Sequence, residues 1–196
     1  MAKLIFATNN QHKVEEIQFA IGKSIEIITL REAGINTDIP EPHDTLEANA
    51  SEKSRTIYEL TGTDCFSEDT GLESEALNGE PGVKSARYAG EDKAFNKNID
   101  KLLLKLGNNT NRKARFRTII SLILNGKEFL FEGICEGQIS DARKGEKGFG
   151  YDPIFMPTGS DKSFAEMSME EKNKFSHRKK AVDKMIAFLK IQFHTT

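Results

Sequence analysis

The chain has 196 residues, of which 37% are hydrophobic and 30% charged, and its formal net charge is −2. That is enough chain for one domain with a sizeable core. It lacks the basic footprint of a dedicated nucleic-acid binder, and no stretch approaches the length of a membrane span. The apolar run at residues 4–7 is too short for a signal-peptide core, so a cytoplasmic protein is expected.

The predicted elements follow in chain order. Residues 3–8 read as a short buried strand, and residues 13–21 as a helix with Val14, Ile17, Phe19 and Ile21 at its apolar positions. Residues 25–29 form a second strand. Residues 31–44 read as a loop carrying Gly34, Pro40 and Pro42, and Thr45 caps a helix over residues 46–60. A third strand covers residues 64–69 and is expected to stop at Thr70-Gly71. Residues 78–82 are turn chemistry. Phe95, Ile99, Leu102, Leu103 and Leu106 mark a helix closed by Gly107. Residues 115–124 and 128–139 form a hairpin around Asn125-Gly126, a type I′ turn signal. Ser168 opens a capping box for a helical region reaching about Phe193, either broken near Ser176 or running straight through. Strands alternating with helices, followed by a long hairpin, predict an α/β fold with a mixed sheet. A long twisted sheet with helices at both ends leaves a cleft between two lobes. Cys65 and Cys135 lie in apolar surroundings without a CxxC spacing, and free buried thiols are expected.

Four stretches carry candidate chemistry. In Thr8-Asn9-Asn10-Gln11-His12-Lys13 a strand gives way to a helix, where backbone N–H groups and the helix dipole favour an anion. Asn9 and Asn10 tolerate a left-handed turn that aims N–H groups inward. The glycines of a P-loop are missing, and taken alone the stretch reads first as an ordinary polar loop, with phosphate binding as the functional alternative. The second stretch is acidic: Asp38, Glu41, Asp44 and Glu47 in the loop and helix start, then Glu68 and Asp69. Magnesium takes one or two carboxylates together with water and phosphate oxygens. Asp44 and Glu47 also fit as partners of the helix dipole. Glu68-Asp69 is harder to explain structurally, because buried charges need partners.

The third stretch, Gly145 to Phe155, has glycines at 145, 148 and 150. Phe149 and Tyr151 offer faces for a base, and Asp152 an acceptor for a ring N–H; packing aromatics are the plain alternative. The fourth is Lys172 followed by Ser176-His177-Arg178-Lys179-Lys180, either donors for a ligand or a solvated basic face. Asn49 and Lys53 share a helix face, which lets Lys53 point toward the acidic loop. Arg87 follows the turn at Pro81-Gly82.

Taken in order, Thr8-x-Asn10-x-x-Lys13, Ser67-Glu68-Asp69-Thr70-Gly71-Leu72, Gly82-Val83-Lys84-Ser85-Ala86-Arg87-Tyr88, Gly148-Phe149-Gly150-Tyr151-Asp152-Pro153 and Ser176-His177-Arg178 resemble the inosine triphosphatase family. The resemblance spans nearly the whole chain. It implies a single domain over residues 1–196: an elongated two-lobed α/β fold with a long mixed sheet, a cleft between the lobes, and a homodimer. It implies Mg2+-dependent hydrolysis of ITP, dITP and XTP to the monophosphate and pyrophosphate. It assigns Thr8, Asn9, Asn10, Gln11, His12 and Lys13 to the triphosphate. Asp69 becomes general base and metal-linked, with Thr70 touching substrate and Glu41 a second metal carboxylate. Phe149, Gly150, Tyr151, Asp152, Lys172, His177 and Arg178 hold the base and sugar-phosphate. Lys53, with Lys13, stabilises charge on the leaving group. The glycine that many bacterial relatives carry after the threonine is replaced by Asn9.

Selectivity is expected from His177 and Arg178 as donors facing O6, an acceptor in hypoxanthine and xanthine where adenine presents an amino group. A Maf-like pyrophosphatase for modified pyrimidine nucleotides is the rival enzyme reading, against which the His177-Arg178 pair and the 149–152 loop count. The Nudix signature is absent. A non-catalytic nucleotide sensor is the alternative from another class.

Overall fold

The computed structural model describes residues 3–23, 25–37 and 39–194; Asp38, one acid of the predicted acidic loop, lies outside them. The elements in order are β1 (Lys3–Phe6), α1 (Gln11–Ile21), β2 (Glu26–Thr29), α2 (Leu46–Thr61), β3 (Cys65–Ser74), β4 (Pro81–Gly82), α3 (Phe95–Leu106), β5 (Lys113–Leu124), β6 (Lys127–Ile139), β7 (Phe155–Pro157), α4 (Met169–Asn173) and α5 (His177–His194). The strands run β2-β1-β3-β5-β6-β7 across the sheet, and β4 pairs with β3. β1 is parallel to both β2 and β3, whereas β3–β4 and β6–β7 are antiparallel, so the sheet is mixed as expected. No helix among the described residues is long and apolar enough to cross a membrane.

The chain divides into two compact units. The first comprises the chain up to Asp69, Thr118–Gly133 and the chain from Arg178; the second comprises Thr70–Arg117 and Ile134–His177. Each has its own core. In the first unit, Val14, Ile17 and Ile21 of α1 pack with Leu4 and Phe6 of β1, Phe66, Ile120 and Leu122, and with Ala181, Val182, Met185 and Leu189 of α5. Phe6 and Phe66 stack with ring centroids 4.5 Å apart across the parallel β1–β3 pair. In the second unit, Leu72, Ile99, Leu102 and Leu106 pack with Phe116, Ile154, Phe155 and Phe164.

Local chemistry accounts for the element ends. Asn10 caps α1 by accepting the Lys13 N–H at 3.3 Å, and Thr45 caps α2 by accepting that of Ala48 at 3.2 Å. Gly62 ends α2 in the left-handed conformation, φ 62°. Ser168 and Glu171 form the predicted capping box, and Asn125 and Gly126 both have positive φ, as a type I′ hairpin turn requires. On α2 the inward stripe is Leu46, Asn49, Ala50, Lys53, Ser54 and Ile57, a helical repeat that buries one amide and one ammonium among apolar residues.

Three expectations need correction. β3 does not stop at Asp69 but continues to Ser74, so Asp69 lies inside a strand. Gly71 is not a turn residue: a Cβ there would lie 2.6 Å from the Gly82 carbonyl oxygen, so the glycine permits close packing of β4 on β3. Neither Asn9 nor Asn10 has positive φ; Asn10 is extended at φ −85°, because its side chain caps α1. The helical region after Ser168 is indeed interrupted before α5, with the Ser176 N–H donating back to the Lys172 carbonyl at 2.9 Å.

The two cores set a stability contrast. Ile17→Ala and Leu102→Ala, each deleting a fully buried side chain, should cost about 2–5 kcal/mol in chemical denaturation. Leu104→Ala, on the same helix as Leu102 but 82% exposed, should stay within about 0.5 kcal/mol.

Candidate active site

Glu68 and Asp69 are consecutive in β3, so their side chains leave opposite faces of the strand. Each therefore meets a different set of cations. The Glu68 carboxylate is wholly buried. It receives Lys13 Nζ at 2.9 Å and the Arg178 guanidinium through Nε at 3.1 Å and Nη2 at 3.3 Å. Arg178 Nη1 donates to Glu16, which is also buried, on α1. Burial alone would raise the Glu68 carboxyl. Arg178 and then Lys13 outweigh it and hold the group well below the usual carboxylate range. The same two acids raise Arg178 above its ordinary value despite burial.

Asp69 is placed differently. Its Oδ1 lies 3.5 Å from Lys53 Nζ, and its Oδ2 is buried with no hydrogen-bond partner among the described residues. Burial pushes its carboxyl up; Lys53 and Lys13 pull it down, Glu41 and Glu68 push it up, and the net shift is upward. Lys53 Nζ also donates to Glu41 Oε1 at 2.6 Å and to the Glu68 carbonyl at 2.8 Å. Burial works against this ammonium, but Asp69, Glu41 and Glu68 together hold its pKa above the ordinary value. Glu41 and Asp69 thus converge on one cationic centre. Both offer hard oxygens, and one oxygen of Asp69 is buried without a hydrogen-bond donor. That donor set fits magnesium, which needs one or two carboxylates and fills its remaining positions with water and phosphate oxygens. No group of three or more His, Cys, Asp and Glu residues suited to a metal occurs among the described residues. Such an ion would therefore rest on these two carboxylates and its ligand.

The loop before α1 is tightly organised. The Thr8 hydroxyl accepts the Asn10 N–H at 3.2 Å, and Asn9 Nδ2 donates to the Thr37 carbonyl at 3.1 Å. Gln11 reaches Glu15 at 3.2 Å, and Gln11 and His12 are exposed in the first turn. In the acidic loop Asp44 is exposed, and Glu47 occupies the first turn of α2, where a negative charge favours the helix.

In the second unit Asp152 and Lys172 form a buried pair at 2.6 Å, and the same Asp152 oxygen accepts the Phe149 N–H at 2.9 Å. The Lys172 ammonium lies 5.0 Å from the Phe164 ring centroid and 5.6 Å from that of Phe149. The His177 ring stacks on Phe116 with centroids 4.6 Å apart. Gly148 is required by both backbone and space: φ is +74°, and a Cβ would lie 2.0 Å from Asp152 Oδ2. Gly150 also has positive φ, and Thr70 is half-buried in β3. Tyr151 departs from expectation. Rather than offering a face to a base, it is buried in the core, with its hydroxyl donating to the Ser85 carbonyl at 2.9 Å. Ser85 in turn accepts the Leu72 N–H at 2.8 Å and donates to the Gly82 carbonyl at 2.6 Å, tying β3, β4 and the 149–152 loop together. Arg87 pairs with exposed Glu91. The sequence reading missed Glu16; the available signal was an acid between Val14 and Ile17 on the buried side of α1.

Glu68 carries the acid sensitivity of this cluster. Its folded pKa is depressed, so its stabilisation is present above the unfolded value of about 4.3 and is lost as pH falls toward the folded value. Glu68→Gln leaves Lys13 and Arg178 facing a neutral amide. It should cost about 3–5 kcal/mol at pH 7, and the gap to the parent protein should narrow in denaturation curves taken below about pH 4.

Comparison with known proteins places this architecture. The Ham1 family pattern matches residues 4–188. The dITP/XTP pyrophosphatase of Flavobacterium johnsoniae is 51% identical over 187 residues, covering 95% of this chain and 97% of that one. That of Porphyromonas gingivalis is 50% identical over 190 residues, covering 96% and 98%. Among solved structures, the Staphylococcus aureus Ham1 protein superposes with a TM-score of 0.87 at 40% identity, covering 97% of this chain and 99% of that one. A HAM1 protein from Coxiella burnetii gives 0.88 at 34% identity, with the same coverages. The strand order, the caps and the paired acids of β3 therefore belong to a chain that is a member of the Ham1 family.

Proposed function

We propose that this protein hydrolyses deaminated purine nucleoside triphosphates, dITP, XTP and ITP, to the monophosphate and pyrophosphate. Relatives about half identical along nearly their full length carry the name dITP/XTP pyrophosphatase. The observation that carries the mechanism is Asp69: a buried carboxylate, raised in pKa, with one oxygen lacking a hydrogen-bond partner among the described residues.

In this reading Asp69 accepts a proton from the water that attacks the α-phosphorus. The bond from that phosphorus to the α–β bridging oxygen breaks, and its electrons leave with pyrophosphate. Glu41 and Asp69 would hold Mg2+, which when bound neutralises phosphate charge and acidifies water. Lys53 and Lys13 face the charge that develops on the leaving group. The polar loop from Thr8 to Lys13, with the N-terminus of α1, takes the triphosphate.

The base end falls to the second unit. Lys172 and His177 supply donors for the O6 acceptor of hypoxanthine or xanthine, Phe149 supplies apolar surface, and Asp152 fixes Lys172. Gly150 and Thr70 complete the contacts to the sugar-phosphate. Adenine would bring its amino group against these donors and leave buried polar groups unpaired. Arg178 is engaged by Glu16 and Glu68, so we assign it first to orienting Glu68 beside Asp69. Tyr151 acts through the position of its loop. A single catalytic domain over residues 1–196 and a cytoplasmic homodimer are the organisation and assembly we propose.

With Mg2+, purified protein should release pyrophosphate from dITP, XTP and ITP far faster than from ATP, with products separated by ion-exchange chromatography. Orthophosphate as the product would overturn the α-phosphorus mechanism, and equal rates on ATP and dITP the base selection. Asp69→Asn should lower kcat by about 10²–10⁴-fold while nucleotide affinity, measured by calorimetry, changes only a few-fold. Turnover unchanged in that variant would remove Asp69 from the chemistry.

A further inference from the structure

We infer that Asn49 is a positioning residue for Glu41, and through it sets the protein's response to the divalent cation. The inference rests on the reading of Glu41 as a metal carboxylate. Asn49 is 1% exposed and lies on the inward stripe of α2, one turn before Lys53. Its amide makes two bonds to a single residue of the acidic loop. Oδ1 accepts the His43 N–H at 2.9 Å, and Nδ2 donates to the His43 carbonyl at 3.1 Å.

This pairing treats the side chain of Asn49 as a neighbouring strand would treat a backbone, satisfying both polar groups of one peptide position. It lies two residues from Glu41, and the intervening Pro42 fixes one backbone torsion between them. The carboxylate of Glu41 is therefore carried on a short arm anchored to the same helix face that carries Lys53, its partner at 2.6 Å. A second contact from α2, Glu52 to His43 Nε2 at 3.5 Å, steadies the same position from its exposed side. Without the amide clasp, a Pro-containing loop would carry Glu41 over many positions, and only some suit a cation shared with Asp69.

Only an amide of this length provides both an acceptor and a donor. Aspartate keeps the acceptor but sets a carboxylate against the His43 carbonyl, and alanine removes both bonds. Asn49→Asp and Asn49→Ala should raise the magnesium concentration giving half-maximal pyrophosphate release by about tenfold or more. That is the size expected when a partner orienting a metal carboxylate is lost. KM for dITP at saturating magnesium should change much less. Hydrogen–deuterium exchange read by mass spectrometry should accelerate over residues 39–45 in the free protein, with residues 50–61 remaining protected.

In a Glu41→Gln background the Asn49 substitutions should add no further change in magnesium dependence, because the group they position is gone. If Glu41→Gln alone leaves magnesium dependence unchanged, the metal role of Glu41 is overturned and this inference falls with it. If Glu41→Gln shifts that dependence but the Asn49 variants do not, the positioning role alone is overturned. Fully additive effects of the two positions, or accelerated exchange spread evenly over α2, would also overturn it. The alanine variant carries the test if the aspartate variant fails to fold.

Discussion

Two adjacent carboxylates buried in one strand impose the constraint on which this structure turns. Moving an ion out of water costs several kcal/mol even after relaxation, so Glu68 and Asp69 each require compensation. The alternation of β3 separates them onto opposite faces and lets the fold treat them unequally. Glu68 receives two cations, one from α1 and one from α5. Asp69 receives one lysine from α2 at 3.5 Å. The outcome is opposite in sign: Glu68 is held as a carboxylate well into acid, whereas Asp69 is shifted toward protonation. Neighbouring titratable groups pushed apart by their surroundings are the arrangement from which acid and base roles are assigned. Here it leaves Glu68 a fixed charge and is consistent with the proton-accepting role proposed for Asp69.

The helices that supply these cations hold them by apolar anchorage. α2 buries Leu46, Ala50 and Ile57 along the stripe that carries Asn49 and Lys53. α1 does the same with Val14, Ile17 and Ile21 around Glu16. Their caps, Asn10, Thr45 and Gly62, satisfy backbone groups that would otherwise fray. A lysine on such a helix loses little further entropy on reaching Asp69, because the backbone beneath it is already fixed. Preorganisation of this kind makes electrostatic stabilisation effective, since the charges need not reorganise as the reaction proceeds.

Much of this was legible in the sequence where a local rule operates. The caps at Thr45 and Ser168, the hairpin turn at Asn125-Gly126 and the end of α3 at Gly107 each depend on a few consecutive residues, and the structure has them where the sequence placed them. The acids and lysines of the cluster were also visible as types that need partners. Of the pairing, only the turn of Lys53 toward the acidic loop was visible, and it meets Glu41 there; the rest was not. That Glu68 would meet Arg178, 110 positions away, or that Glu16 would share that arginine, depends on packing that no local pattern encodes. Gly71 shows the same limit from the other side. Beside a threonine it has the composition of a strand end, yet its reason for being glycine is the approach of Gly82. Asn9 and Asn10 were read for left-handed geometry that asparagine tolerates, but capping α1 was the competing use of Asn10 and it prevailed.

The second unit repeats the logic of the first with a different balance. Asp152 and Lys172 are buried together at 2.6 Å among Phe149, Phe164 and the ring of His177 stacked on Phe116. An ammonium there is too costly to leave alone, and Asp152 compensates it. The carboxylate in turn is fixed by the Phe149 N–H and by a glycine that leaves it room. A ligand that engages Lys172 need not bear the cost of dehydrating a mobile surface lysine, because folding has already done so. It must, however, present an acceptor, since the alternative is a buried donor facing another donor. In the base-binding role we propose for Lys172, discrimination between an oxygen and an amino group at one ring position rests on charge placement rather than on shape. Lys53 and Lys172 share this arrangement, each a buried ammonium oriented by a carboxylate.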